Sequence, residues 1–231
     1  MRAALEDGRD GTGLLENLLG AAQIAWALAS PFLRGRRTRW GATGDDVRRT
    51  FPGDALVPRP RWQFLHAITV EAPPEAVWPW IVQVGQGRAG FYSFQVLENL
   101  LGCAIENAGT IHPEWQAVEE GDLVRLHPKA PPLTVALVEP GRALVLHGDP
   151  AADPSLKPAP DVAISWAFVI EPLGGSRSRL YSRNRAAHGP GLGLELSYGP
   201  WLVEPISFVM DRKMLQGIRW RAERAHASGR G

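Results

Sequence analysis

Large side chains recur at every second position in the stretch Arg61 to Ala72, RWQFLHAITVEA. Trp62, Phe64, His66, Ile68 and Val70 then share one face of a strand. Pro73 stops the alternation, and Pro74 with Glu75 suits the first turn of a helix over 74–84. Pro79 falls inside that helix and predicts a kink. A glycine-rich turn, GQGRAG at 85–90, separates it from a second helix over 91–101. From residue 121 the texture changes to short β-prone runs: DLVRLHP, LTVALVEP, RALVLHG, DVAISWAFVIEP and SRLYSRNRAAH. Pro and Gly turns divide them, as in a meander of antiparallel strands. The period then lengthens. Leu202, Ile206, Val209, Met210, Met214, Gly217 and Ile218 fall on one side of a helix over 201–226, and Asp211, Arg212, Gln216, Arg219 and Glu223 on the other. Strands and helices segregate along the chain, which predicts an α+β fold.

The N-terminal pattern is different. Residues 1–13 are polar and Gly-rich and are expected to be disordered. Residues 14–33 are apolar over about one membrane thickness, and RGRRTR follows at once. Glu16, Asn17, Gln23 and Pro31 oppose a membrane span. A helix docked on the domain, or lying in a membrane interface, fits the pattern better than one that crosses. The start has no basic region of a secretory signal, so a cytoplasmic protein with contact to a membrane surface through 14–33 is expected. Residues 39–60 are punctuated by Pro and Gly and read as a linker. The predicted organisation is a tail and apolar helix over 1–38, a linker over 39–60 and one domain over 61–231.

Composition changes this picture little. The 231 residues suffice for one core, and a net charge of +1 offers nucleic acid no electrostatic attraction. Cys103 is the only cysteine, so there is no internal disulfide and no cysteine-based metal site. No paired His motif suggests a metal, and no cofactor is expected. Nine Trp are unusual, and Trp suits cavity walls as well as cores.

GQGRAG matches G-x-G-x-x-G, the dinucleotide-binding fingerprint. Glu106 even lies where a ribose-binding acid would be expected. Pro79 would sit inside the required strand, bulky Phe91 and Tyr92 follow the third glycine, and no βαβ unit comes after. The turn between two helices is the better reading. The run ITVEAPPEAVWPWIVQVG resembles the opening strand and helix of the SRPBCC superfamily, the START-like proteins that include polyketide cyclases and lipid-transfer domains. WGAT, FPGDALVP, QVGQGRAGFYSFQVLENLLG, IHPEWQ, GDLVRL, SWAFVIEP and SRLYSRNR, in that order, are similar to a largely actinobacterial branch of it. The resemblance covers about 39–226. It implies a helix-grip fold: a curved antiparallel sheet around the C-terminal helix, two short helices at one end, and a cavity between sheet and helix. It says little about chemistry, since binders, carriers and enzymes share the scaffold.

The residues that face such a cavity follow from periodicity. Trp166 lies on the bulky face of its strand, as a ligand wall or a core residue. Met210, Met214 and Gly217 are adaptable or small on the helix stripe and suit a cavity floor or ordinary core. Arg179, Tyr181, Arg183 and Arg185 share one strand face. If that face is concave, Tyr181 and Arg183 bind an anionic headgroup; if convex, they face solvent. IHPEWQ sets His112, Glu114 and Trp115 near the expected mouth, with His112 and Glu114 as acid and base and Trp115 as a wall, or all three as turn and core. The leading reading is a protein that binds a small hydrophobic or amphipathic molecule. The alternatives are a cyclase or dehydratase that draws on His112, Glu114, Tyr181 and Arg183, and a membrane-associated lipid-handling protein.

Overall fold

A computed structural model describes residues 13–149, 162–199 and 201–229. The N-terminal tail expected to be disordered lies almost wholly outside the described residues. Six antiparallel strands form one sheet in the order β1-β6-β5-β4-β3-β2. They are β1 (Trp62–Val70), β2 (Leu123–Val124), β3 (Leu133–Glu139), β4 (Ala143–Gly148), β5 (Val162–Pro172) and β6 (Ser178–His188). A register shift between Val135 and Leu137 bends β3. The helices are α1 (Leu14–Ala29), α2 (Arg34–Arg37), α3 (Gly44–Arg48), α4 (Pro74–Val82), α5 (Gln95–Leu100), α6 (Leu192–Tyr198) and α7 (Val203–Ser228). The curved sheet wraps the long α7, the α+β helix-grip arrangement.

Alternation decides which side meets α7. The inner face of β1 carries Phe64, His66, Ile68 and Val70, and its register partners on β6 are Asn184, Ser182, Leu180 and Ser178. Phe168 and Ile170 of β5, Leu144 and Leu146 of β4 and Val135 of β3 continue that face into the main core. Met214, Leu215, Ile218 and Ala222 of α7 close on it. Gly217 is no cavity floor: a Cβ there would stand 2.4 Å from the Tyr92 carbonyl oxygen, so the glycine lets helix and loop backbones touch.

The outer face is also covered, which the linker reading of 39–60 did not anticipate. Phe51 packs on Leu65, Ala67, Ala143, Val169 and Tyr181. Thr43 and Asp46 close a capping box that starts α3. The edge of β1 is sealed as well: Leu65 N donates to Thr38 O at 2.8 Å and Ala67 N to Trp40 O at 3.0 Å.

The apolar N-terminal stretch forms a helix of 16 residues, because Pro31 turns the chain after Ser30. Among the described residues no helix is long and apolar enough to cross a membrane. α1 docks instead. Asn17 Oδ1 accepts from Leu97 N at 3.2 Å, Glu16 pairs with Lys213, and Ala27 joins Phe94, Phe208 and Val209.

GQGRAG follows helix α4, not a strand. Gly85 and Gly90 exchange backbone bonds of 3.0 and 3.1 Å, and Gly85, Gly87 and Gly90 all have positive φ. A Cβ on Gly90 would lie 2.6 Å from Asn107 Oδ1.

Candidate functional site

A cavity of about 290 Å³ opens between the inner sheet face and α7. Trp62 and Phe64 of β1, with Ile164 and Trp166 of β5, form its sheet wall. Val203, Met210 and Met214 form the helix wall. Phe91, Cys103 and Ile105, from the chain on either side of α5, close the third side. The walls are ring-rich: Trp166 lies 4.8 Å from Phe168 and 6.4 Å from Phe91 between centroids, and Trp62 stacks on Phe64 at 6.2 Å. Trp166 Nε1 donates to Ser182 Oγ at 3.0 Å. Its one donor is satisfied, so the indole adds an apolar surface to the wall. A second depression, of about 300 Å³, is lined among the described residues by α7.

Few polar groups reach the first cavity, and they differ in one respect. Asp211 is held: His66 Nδ1 lies 2.6 Å from Oδ2, and Ser182 Oγ donates to Oδ1 at 2.7 Å. His66 Nε2 stands 2.9 Å from the Arg37 carbonyl oxygen, so this buried chain ties α7, β1, β6 and α2 together. Periodicity had set Asp211 on the solvent side of its helix. It is 5% exposed, because two buried donors on the sheet receive its carboxylate. Ser93 Oγ is likewise occupied by Met210 O at 3.1 Å.

Glu98 and Asn184 are not held in this way. Glu98 Oε2 and Asn184 Oδ1 are buried and have no hydrogen-bond partner among the described residues. Glu98 is 6% exposed, and burial pushes its carboxyl up to about 7. Burial, with Glu98 nearby, also raises the Cys103 thiol. An apolar chamber thus presents two acceptor oxygens with nothing to accept from.

The residues expected from sequence divide sharply. Trp166, Met210 and Met214 line the cavity together. Tyr181 and Arg183 do not, because their strand face is the outer one. Tyr181 Oη donates to Asp46 Oδ1 at 2.9 Å, and Arg183 Nε to Asp54 Oδ1 at 2.9 Å. Arg185 Nε donates to Val57 O at 2.9 Å. The segment 39–60 covers much of this face and supplies carboxylates and carbonyls to it, while Arg183 and Arg185 stay partly exposed. Burial and the Asp46 carboxylate raise the Tyr181 phenol. Trp115 is tilted against His112, 4.3 Å between centroids, and packs on the core away from the cavity. His112 and Glu114 face each other at 3.3 Å in the same exposed turn and do not line it either.

Sequence reasoning missed Glu98 and Asn184. In Gln95–Leu100 a helical wheel assigns Glu98 to solvent. No sequence signal marks it: the structure inverts the wheel, with Leu100 and Leu101 77% and 71% exposed and Glu98 buried.

No protein-family model matches the chain, and no curated protein matches it significantly. Solved structures similar to it include the ZhuI aromatase/cyclase from Streptomyces sp. R1128, 21% identical, over 73% of this chain and 98% of that one, with a TM-score of 0.38. CalU16 from Micromonospora echinospora is 15% identical over 72% of this chain and 86% of its own, with a TM-score of 0.32. A major latex protein family member from Arabidopsis thaliana is 12% identical over 67% and 94%, with a TM-score of 0.29. Likeness at these scores carries no weight for the chemistry of this chain.

Proposed function

We propose that the protein binds a small, largely apolar molecule that carries a hydrogen-bond donor, held in the cavity between the sheet and α7. The observation that supports it is Glu98, whose buried Oε2 has no hydrogen-bond partner among the described residues, in an aromatic and aliphatic chamber. Leaving a buried acceptor unsatisfied costs about 1–3 kcal/mol, more for a charged group. A ligand hydroxyl or phenol removes that cost, and Asn184 Oδ1 offers a second acceptor. The rings of Trp62, Phe91 and Trp166 suit a flat apolar body. This reading agrees with the SRPBCC resemblance of the sequence and with the actinobacterial branch its motifs resemble.

The same carboxyl favours a second reading, a cyclase or dehydratase. A group that titrates near 7 suits proton transfer at neutral pH. Glu98 then replaces His112, Glu114 and Tyr181 as the acid–base group, since those three stand away from the cavity.

Mass spectrometry of what the purified protein retains under native conditions tests the first reading. The expected result is a stoichiometric apolar compound with a hydroxyl or phenol, lost in Met214→Trp. A retained compound without a donor, or one still retained by Met214→Trp, contradicts it.

A further inference from the structure

The helix α1 is amphipathic the wrong way round for a helix packed on a soluble body. Two of its three polar residues point inward, Asn17, 2% exposed and bonded to α5, and Glu16, paired with Lys213 of α7, while Gln23 is exposed beside the apolar arc. Ile24 packs inward beside Phe94, Phe208 and Val209, but the other large apolar residues point outward. Leu14 and Leu15 are each 72% exposed, Leu18 59%, Leu19 54% and Trp26 55%. At 100° per residue these five side chains cover one continuous arc of the helix, with only alanines between them. α5 packs against α1 and is inverted in the same sense, with Glu98 buried and Leu100 and Leu101 outside. Phe32 follows at 81% exposure. Isolated surface leucines need no explanation, but two adjacent helices inverted together do.

Charge identifies what covers this surface. At the end of α1 the chain turns through Arg34, Arg36 and Arg39. Arg34 is engaged with Glu204, whereas Arg36 and Arg39 are exposed and have no carboxylate partner among the described residues. An apolar arc without a hydrogen-bonding group at its centre, a Trp on its flank and two exposed cations at its end match the layering of a bilayer: acyl chains, interface and anionic headgroups.

We propose that the outward face of α1, with the end of α5, docks on the surface of an anionic lipid bilayer without crossing it. The docking is independent of the cavity reading, although the cavity-lining Glu98 and Cys103 flank Leu100 and Leu101 and so set one cavity wall beside the docked surface.

Co-sedimentation of the full chain with vesicles tests it. Vesicles of phosphatidylcholine mixed with phosphatidylserine should pellet the protein, and those of phosphatidylcholine alone should pellet much less. Leu15→Glu with Leu19→Glu alters two exposed side chains, so folding by circular dichroism should hold while pelleting is lost. Arg36→Gln with Arg39→Gln should weaken binding to the anionic vesicles by about thirtyfold. Met214→Trp, which fills the cavity, should pellet as the parent does, so failure of the cavity reading would leave this result standing. No pelleting with anionic vesicles overturns the proposal. A concentration-dependent dimer abolished by Leu15→Glu with Leu19→Glu, without vesicle binding, would overturn it in favour of a second copy.

Discussion

Glu98 shows how a single side chain ties stability to function. Its carboxyl is neutral more readily in the folded chain, at about 7, than at the ordinary 4.5. Folding therefore loses stability as pH rises from the unfolded value toward 7, and the loss is constant above it. The rise from 4.5 to about 7 corresponds to about 3 kcal/mol at most. Glu98→Gln removes the charge and should match the parent near pH 4. Near pH 8 the variant should be more stable by about 2 kcal/mol, less than the full linkage value because the amide is also buried. Urea midpoints at the two pH values check this. Equal midpoints at both would mean that water or a protein group already satisfies the carboxyl. A stabilising substitution at a cavity wall marks a position kept for something other than folding.

At the scale of elements, the N-terminal segment belongs to the fold more than its sequence suggests. Glu204 at the start of α7 is 1% exposed, and its partners are Arg34 at 2.5 Å and Arg37 at 3.7 Å. A chain that begins at residue 39 removes both cations from this carboxylate and uncovers Phe94, Phe208 and Val209. Breaking one side of a buried pair costs about 3–5 kcal/mol. Thermal melts should show that truncation lowers the midpoint strongly. Glu204→Gln should recover part of the loss in the truncated chain and cost stability in the full one. A truncated chain as stable as the parent would mean that α1 and α2 only rest on the surface. Periodicity revealed the strands, the inner face of β1 and α7 to within a few residues, because those patterns are local. It did not reveal that 39–60 covers the sheet. That contact depends on Asp46, Asp54 and Phe51 meeting Tyr181, Arg183 and Val169 across more than a hundred residues, and nothing in a Pro- and Gly-rich run signals it.

For the whole molecule, the sheet is covered on both sides but filled on only one. The outer layer is closed by ion pairs and Phe51, whereas the inner layer keeps a void where α7 presents Met210 and Met214 instead of bulkier residues. Trp166, Met210 and Met214 were legible as wall residues because alternation and the helix stripe fix their directions. Glu98, Asn184 and Asp211 were not, since polar residues on amphipathic elements are read as solvent-facing unless their buried partners are known. The direct measurement is a fluorescence titration of the protein with 2-naphthol and with naphthalene, two flat molecules that differ by one hydroxyl. The cavity should take both, and 2-naphthol should bind about tenfold or more tightly, the value of one hydrogen bond to a charged or strongly polar acceptor. That preference should vanish in Glu98→Ala, and Met214→Trp should block both molecules. Equal affinities for the two, or binding that Met214→Trp leaves untouched, would contradict a donor-selective cavity between the sheet and α7.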